Sequence, residues 1–199
     1  MRTIGALVFP GFELLDLFGP LEMFGLLSEE FEIHLVSQST KDVKSGMGPV
    51  SLADDLISDD LDYDILLIPG GPGTRQEVNN DALLQWLCEK SVTAELVASI
   101  CTGSSLLAKA GLLDARKATT NKNAFDWVTS NGPNVHWQKR ARWVQDGRFF
   151  TSSGVSAGTD MSLAIITHLL GRAIAEEVAG WAEYTWNSDP ENDPFAILN

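Results

Sequence analysis

Apolar residues recur along this chain in two rhythms that take turns. Short apolar runs of strand length stand at Thr3 to Phe9, Ile65 to Ile68 and Leu96 to Ile100, and Phe31 to Ser37 alternates apolar with polar. Helical spacing appears between them: Leu17 to Leu27 with Pro20 near its first turn, Asn80 to Lys90 behind an Asn-Asp cap, and Ser104 to Ala110 closed by Gly111. The second half predicts a short strand at Lys117 to Thr119 and a short helix at Asn123 to Thr129. Strands at Ala141 to Gln145 and Phe149 to Thr151 flank an Asp146-Gly147 turn. Helices follow over Val155 to Leu170, ended by Gly171, and over Ala173 to Glu183. Val43 to Ala53, with Gly46, Gly48 and Pro49, predicts a small hairpin. The segment from Asn187 to Asn199 has little periodicity and is expected to pack as an extended tail. Alternation of this kind predicts one α/β domain over residues 1–199, a mostly parallel sheet covered by helices on both faces.

Such sheets build their sites at the carboxyl ends of strands. Three segments fall there. The run ending at Ile100 meets Cys101, then Thr102-Gly103-Ser104-Ser105, then a helical pattern. A sulfur at a strand-to-helix elbow stands where α/β folds place nucleophiles, and a helix start favours the thiolate. A buried structural cysteine is the plainer alternative. Asp16 lies among Leu14, Leu15, Leu17 and Phe18, where desolvation raises a carboxyl's pKa. It can serve as an acid partner for Cys101 or as the N-cap of the following helix. Pro69-Gly70-Gly71-Pro72-Gly73 follows the third strand. There the Gly71 N–H, with that of Thr102, can form an oxyanion-hole-like pair, or the segment is a tight turn.

Composition narrows the function classes. With 199 residues, 44% of them hydrophobic, the chain has ample core for one domain, and a net charge of −13 disfavours nucleic acid and anionic membrane as partners. Apolar runs stop short of membrane-spanning length, and the N-terminus reads as a strand rather than a signal peptide. That favours a cytoplasmic setting in which Cys88 and Cys101 stay reduced, Cys88 as core filler. His34, His136 and His168 show no metal-ligand spacing. Of the tryptophans Trp127, Trp137, Trp143, Trp181 and Trp186, one or two can line an apolar pocket.

These segments together resemble the PfpI-type superfamily, which includes the parkinsonism-associated deglycase and is similar to class I glutamine amidotransferase domains. The matching stretches are Leu14 to Pro20, Ile68 to Gly71, Ser99 to Ser104, Ala110 to Leu113, Ala118 to Thr120 and Ser152 to Asp160. The resemblance is nearest to the isocyanide hydratase branch. It implies a flavodoxin-like sandwich with a nucleophile elbow at Cys101, Asp16 as acidic partner, and Thr102 supplying a hydroxyl and a backbone N–H. It also implies a second N–H from Gly71, Val155 and Ser156 at a helix start beside the pocket, and a homodimer with the site near its interface.

The chain departs from the protease-like branch in carrying Thr102 rather than His after the nucleophile, and from the deglycase branch in carrying Asp16 rather than Glu. Many hydratase relatives read Thr-Thr-His where this chain has Thr119-Thr120-Asn121-Lys122. The activity implied is hydration of a small isocyanide to a formamide through a thioimidate, without metal or organic cofactor. A glyoxalase- or deglycase-type enzyme acting on 2-oxoaldehydes and a non-enzymatic cysteine-oxidation sensor are the competing readings.

Overall fold

A computed structural model describes residues 1–196, so the last three residues of the expected tail lie outside the described residues. In chain order the elements are β1 (Arg2–Leu7), α1 (Leu14–Gly25), β2 (Phe31–Ser37), β3 (Asp42–Lys44), β4 (Val50–Leu52), β5 (Asp55–Leu56), β6 (Ile65–Ile68), α2 (Thr74–Glu77), α3 (Asp81–Thr93), β7 (Leu96–Ser99), α4 (Ser104–Lys109), β8 (Lys117–Ala118), α5 (Phe125–Ser130), β9 (His136–Trp137), β10 (Trp143–Asp146), β11 (Phe149–Ser152), α6 (Ala157–Leu170) and α7 (Arg172–Trp181).

The main sheet has the order β10-β11-β7-β6-β1-β2-β5. Every neighbouring pair is parallel except β10 with β11, the antiparallel hairpin expected around Asp146-Gly147. Each residue of β6, β7 and β11 is buried, which requires cover on both faces of the sheet. One cover packs α6 against α1 and α7, and the other packs α4 against α2, α3 and α5. The expected hairpin at β3–β4 forms apart from the main sheet, as does a parallel β8–β9 pair.

The differences from expectation are local. Helix α1 begins at Leu14, three residues early, so Asp16 sits inside its first turn and Pro20 inside the helix body. Helix α6 begins at Ala157, which leaves Val155 and Ser156 in the turn before it. The tail packs along β10: Pro190 accepts from the Arg142 and Trp143 N–H groups, and the Asp193 N–H donates to the Arg140 carbonyl. Cys88 is half-buried rather than core, its thiol donating to the Ala110 carbonyl at 3.4 Å.

Candidate active site

β7 delivers the chain to Cys101, which opens a single 3-10 turn ahead of α4 and adopts φ = +54°. A non-glycine residue in that region costs ~1–3 kcal/mol and persists only where its surroundings hold it. Here the Cys101 N–H donates to the Ser153 carbonyl at 3.0 Å, and its carbonyl accepts from Thr120 Oγ1 at 2.9 Å and Ser104 Oγ at 3.1 Å. The turn also needs Gly103, because a Cβ there would stand 2.4 Å from the Ile68 carbonyl oxygen.

Asp16 is fully buried, and its Oδ2 accepts from the Gly70 N–H at 2.9 Å. The capping reading does not hold: Glu13 occupies the N-cap position of α1, and no side chain caps it. Gly70 threads between acid and elbow, where a Cβ would stand 2.6 Å from both Thr102 N and Thr102 Oγ1 and 2.8 Å from Asp16 Oδ2. Asp16 and Cys101 are near enough for each to shift the other's proton affinity, and Asp16 Oδ1 has no hydrogen-bond partner among the described residues. Burial pushes the Asp16 carboxyl up to about 7, with a smaller push from Glu13, against the opposing pull of the Gly70 N–H.

The sulfur departs from expectation. Cys101 is 5% exposed. Burial first, and the Asp16 charge second, push its thiol well above the usual range, and the Thr102 N–H and Asn121 amide offset this only partly. α4 is a six-residue helix, too short for its dipole to outweigh the desolvation. Burial thus works against the thiolate expected at rest and favours the protonated sulfur.

The Gly71 N–H is also committed. It donates to Thr102 Oγ1 at 2.9 Å, and Thr74 Oγ1 donates to the Gly71 carbonyl at 2.7 Å. With this bond in place it does not pair with the Thr102 N–H toward a shared point. The side-chain donor at the sulfur is Asn121, whose Nδ2 lies 3.1 Å from Sγ while its Oδ1 accepts the Ala124 N–H at 3.0 Å, which fixes the amide's direction. In the sequence Asn121 stands out only as a departure from relatives. Its preceding threonines, one of which holds the Cys101 carbonyl, were the available signal.

Cys101 opens on a cavity of about 240 Å³, with Glu13, Arg75, Asn121, Trp127 and Val155 among its walls. The Arg75 guanidinium lies 4.3 Å above the ring of Trp127, a tryptophan that does line the pocket. A neighbouring cavity of about 330 Å³ shares Asn121 and Val155 and takes in Ser156. The histidines lie elsewhere: His34 pairs with Asp55 at 2.8 Å and His168 packs on Phe150. Among the described residues, no group of three or more His, Cys, Asp or Glu could hold a metal ion.

Residues 2–168 match the model of the DJ-1/PfpI family. The isonitrile hydratase of Pseudomonas putida (isonitrile being another word for isocyanide) is 30% identical over 201 residues, covering 98% of this chain and 86% of that protein. The transcriptional regulator CdhR of Pseudomonas aeruginosa is 27% identical over 177 residues, and the match covers 87% of this chain but 52% of the regulator. Among solved structures, a ThiJ/PfpI family protein from Pseudomonas syringae superposes with a TM-score of 0.85 at 31% identity, covering 95% of this chain and 76% of that one.

Proposed function

Since the chain belongs to the DJ-1/PfpI family, we propose that it is a cysteine-dependent hydratase converting a small isocyanide, R–NC, to the N-substituted formamide. The observation that carries this reading is the placing of two buried acids at one elbow: Cys101 opens on a small cavity, Asp16 lies buried beside the same Gly70-Thr102 backbone, and burial disfavours the charged form of both. An isocyanide's terminal carbon accepts a nucleophile and a proton at the same atom, which is what a thiol with an adjoining carboxyl supplies.

The sulfur bonds to that carbon while the shared proton is delivered to it, giving the thioimidate R–N=CH–S on Cys101. Asp16, now a carboxylate, takes a proton from water as the water oxygen adds to the same carbon. The proton passes to nitrogen, and the tetrahedral adduct expels the sulfur as R–NH–CHO forms. The sulfur leaves as thiolate towards the Asn121 amide 3.1 Å away and is reprotonated by the hydroxyl proton of the collapsing adduct. One water is consumed and the pair regains its proton. Asp16, Cys101 and Thr102 are the proposed catalytic residues. Gly71 acts through the Thr102 hydroxyl, and Val155 shapes the cavity wall.

The buried, upward-shifted thiol counts against a peroxide sensor, which works through an accessible low-pKa thiolate. The test is a side-by-side panel. Wild-type protein should release N-(para-nitrophenyl)formamide from para-nitrophenyl isocyanide and give no comparable lactate from methylglyoxal. Lactate production without isocyanide turnover would replace this reading with the oxoaldehyde one.

A further inference from the structure

The 330 Å³ cavity beside the cysteine pocket is walled by buried polar groups that the proposed chemistry does not use, among them Lys122, Arg142, Ser153 and Asp193, with Phe195 at its side. Lys122, Arg142, Ser153 and Asp193 are each no more than 5% exposed. The donors and acceptors around it do not balance. The Lys122 ammonium is spent on Ala141 O at 2.7 Å, Thr119 Oγ1 at 2.8 Å and Thr120 O at 3.4 Å. Arg142 gives Nε to Asp160 at 2.7 Å and Nη2 to Asp160 and, at 3.4 Å, Ser156 Oγ, but among the described residues its Nη1 has only the contact with Asp193 Oδ1, at 3.7 Å. That is well beyond the roughly 2.8 Å of a charge-assisted hydrogen bond. Asp193 Oδ2 and Ser153 Oγ have no hydrogen-bond partner among the described residues. The cavity thus presents an underused donor and unused acceptors together, which a folded interior leaves open only at a cost.

Charge narrows the occupant. Lys122 and Arg142 face Asp160 and Asp193, two of each sign. An added anion or cation would leave a net buried charge, which is costly, whereas a neutral group carrying both a carbonyl and an N–H would satisfy both sets. Resting on the hydratase reading, we propose that this cavity is a subsite for the substrate's N-substituent and selects isocyanides bearing a neutral carboxamide, with Arg142 Nη1 donating to its carbonyl and Asp193 Oδ2 accepting its N–H. Asn121 and Val155, common to both cavities, connect the subsite to the sulfur.

Two measurements test it. In the first, kcat/KM is compared for 2-isocyanoacetamide, isocyanoacetate and n-propyl isocyanide. The amide should exceed both others by about tenfold or more, the yield of two hydrogen bonds. That ratio should collapse in Asp193→Asn, with folding checked by melting temperature. The second needs no turnover: calorimetric binding of N-formylglycinamide to wild type, set against N-formylpropylamine and N-formylglycine. Tighter binding of the amide, lost in Asp193→Asn, supports the subsite even if no isocyanide is hydrated, a result that would sink the hydratase reading alone. Equal binding of the three probes, or preference for the carboxylate, overturns the proposal while leaving hydration of simple isocyanides intact.

Discussion

At the scale of the residue, a carboxyl that titrates near 7 in the interior links activity to folding. Asp16 binds its proton more tightly folded than unfolded, since burial lifts it from 3.8 to about 7. Between those values the folded state holds a proton that the unfolded state has released, so stability falls as pH rises through the window and levels off above it. Asp16→Asn keeps a carbonyl oxygen for the Gly70 N–H and removes the buried charge. It should therefore melt higher than wild type at pH 8, with the difference shrinking towards pH 4, while losing ~10²-fold or more in turnover. Thermal melts across pH check the first part: a variant less stable at pH 8 would contradict the assignment. Wild-type kcat/KM should also fall as pH drops through about 7, when the acid pair gains its second proton, and this limb should vanish in Asp16→Asn.

The sequence already pointed to Cys101, Asp16, Thr102 and the Gly70-Gly71 loop, because each stands where a strand signal stops. Asn121 was not legible as a site residue: its contact with the sulfur depends on where β8 and the following loop come to rest. The unpaired oxygens of Ser153 and Asp193 likewise exist only once the tail has packed.

At the scale of the element, the long apolar patterns identified the main strands and helices, and the hairpin turns at Gly48 and Asp146-Gly147 appeared where expected. β5, β9 and α2 went unread because two to four residues carry no period. The pattern starts α1 late because Asp16 is an acceptable cap for a helix beginning at Leu17, whereas in the fold Asp16 accepts from the distant Gly70 N–H. The junctions between elements are where the site is most fragile. Gly103→Ala would push a Cβ against the Ile68 backbone, and neither β6 nor the elbow can shift without displacing Asp16's partner or the sulfur. This change should cost about 1–3 kcal/mol from overpacking and remove turnover. Denaturant unfolding and an activity assay measure both, and an unaltered midpoint would show that the elbow tolerates more room than the structure provides.

At the scale of the whole molecule, one helix serves two surfaces. α1 carries Asp16 inward, while Leu15 and Phe18 on its outer side stand 48% and 44% exposed. No helix among the described residues is long and apolar enough to cross a membrane. We propose that a second copy of the chain covers Leu15 and Phe18, forming a homodimer whose interface abuts the site. Sedimentation should give twice the chain mass for wild type and the single mass for Phe18→Glu, and a monomeric wild type would refute the assembly.

Independently of the assembly, the Cys101 sulfur adds to an isocyanide carbon while a proton from Cys101 and Asp16 goes to the same carbon. This addition is tested most directly by the initial rate of formamide formation from para-nitrophenyl isocyanide with wild type and Cys101→Ala. Turnover by the wild type and none above the uncatalysed background for the variant is the predicted result. A Cys101→Ala protein that hydrates the isocyanide at the wild-type rate would contradict the account.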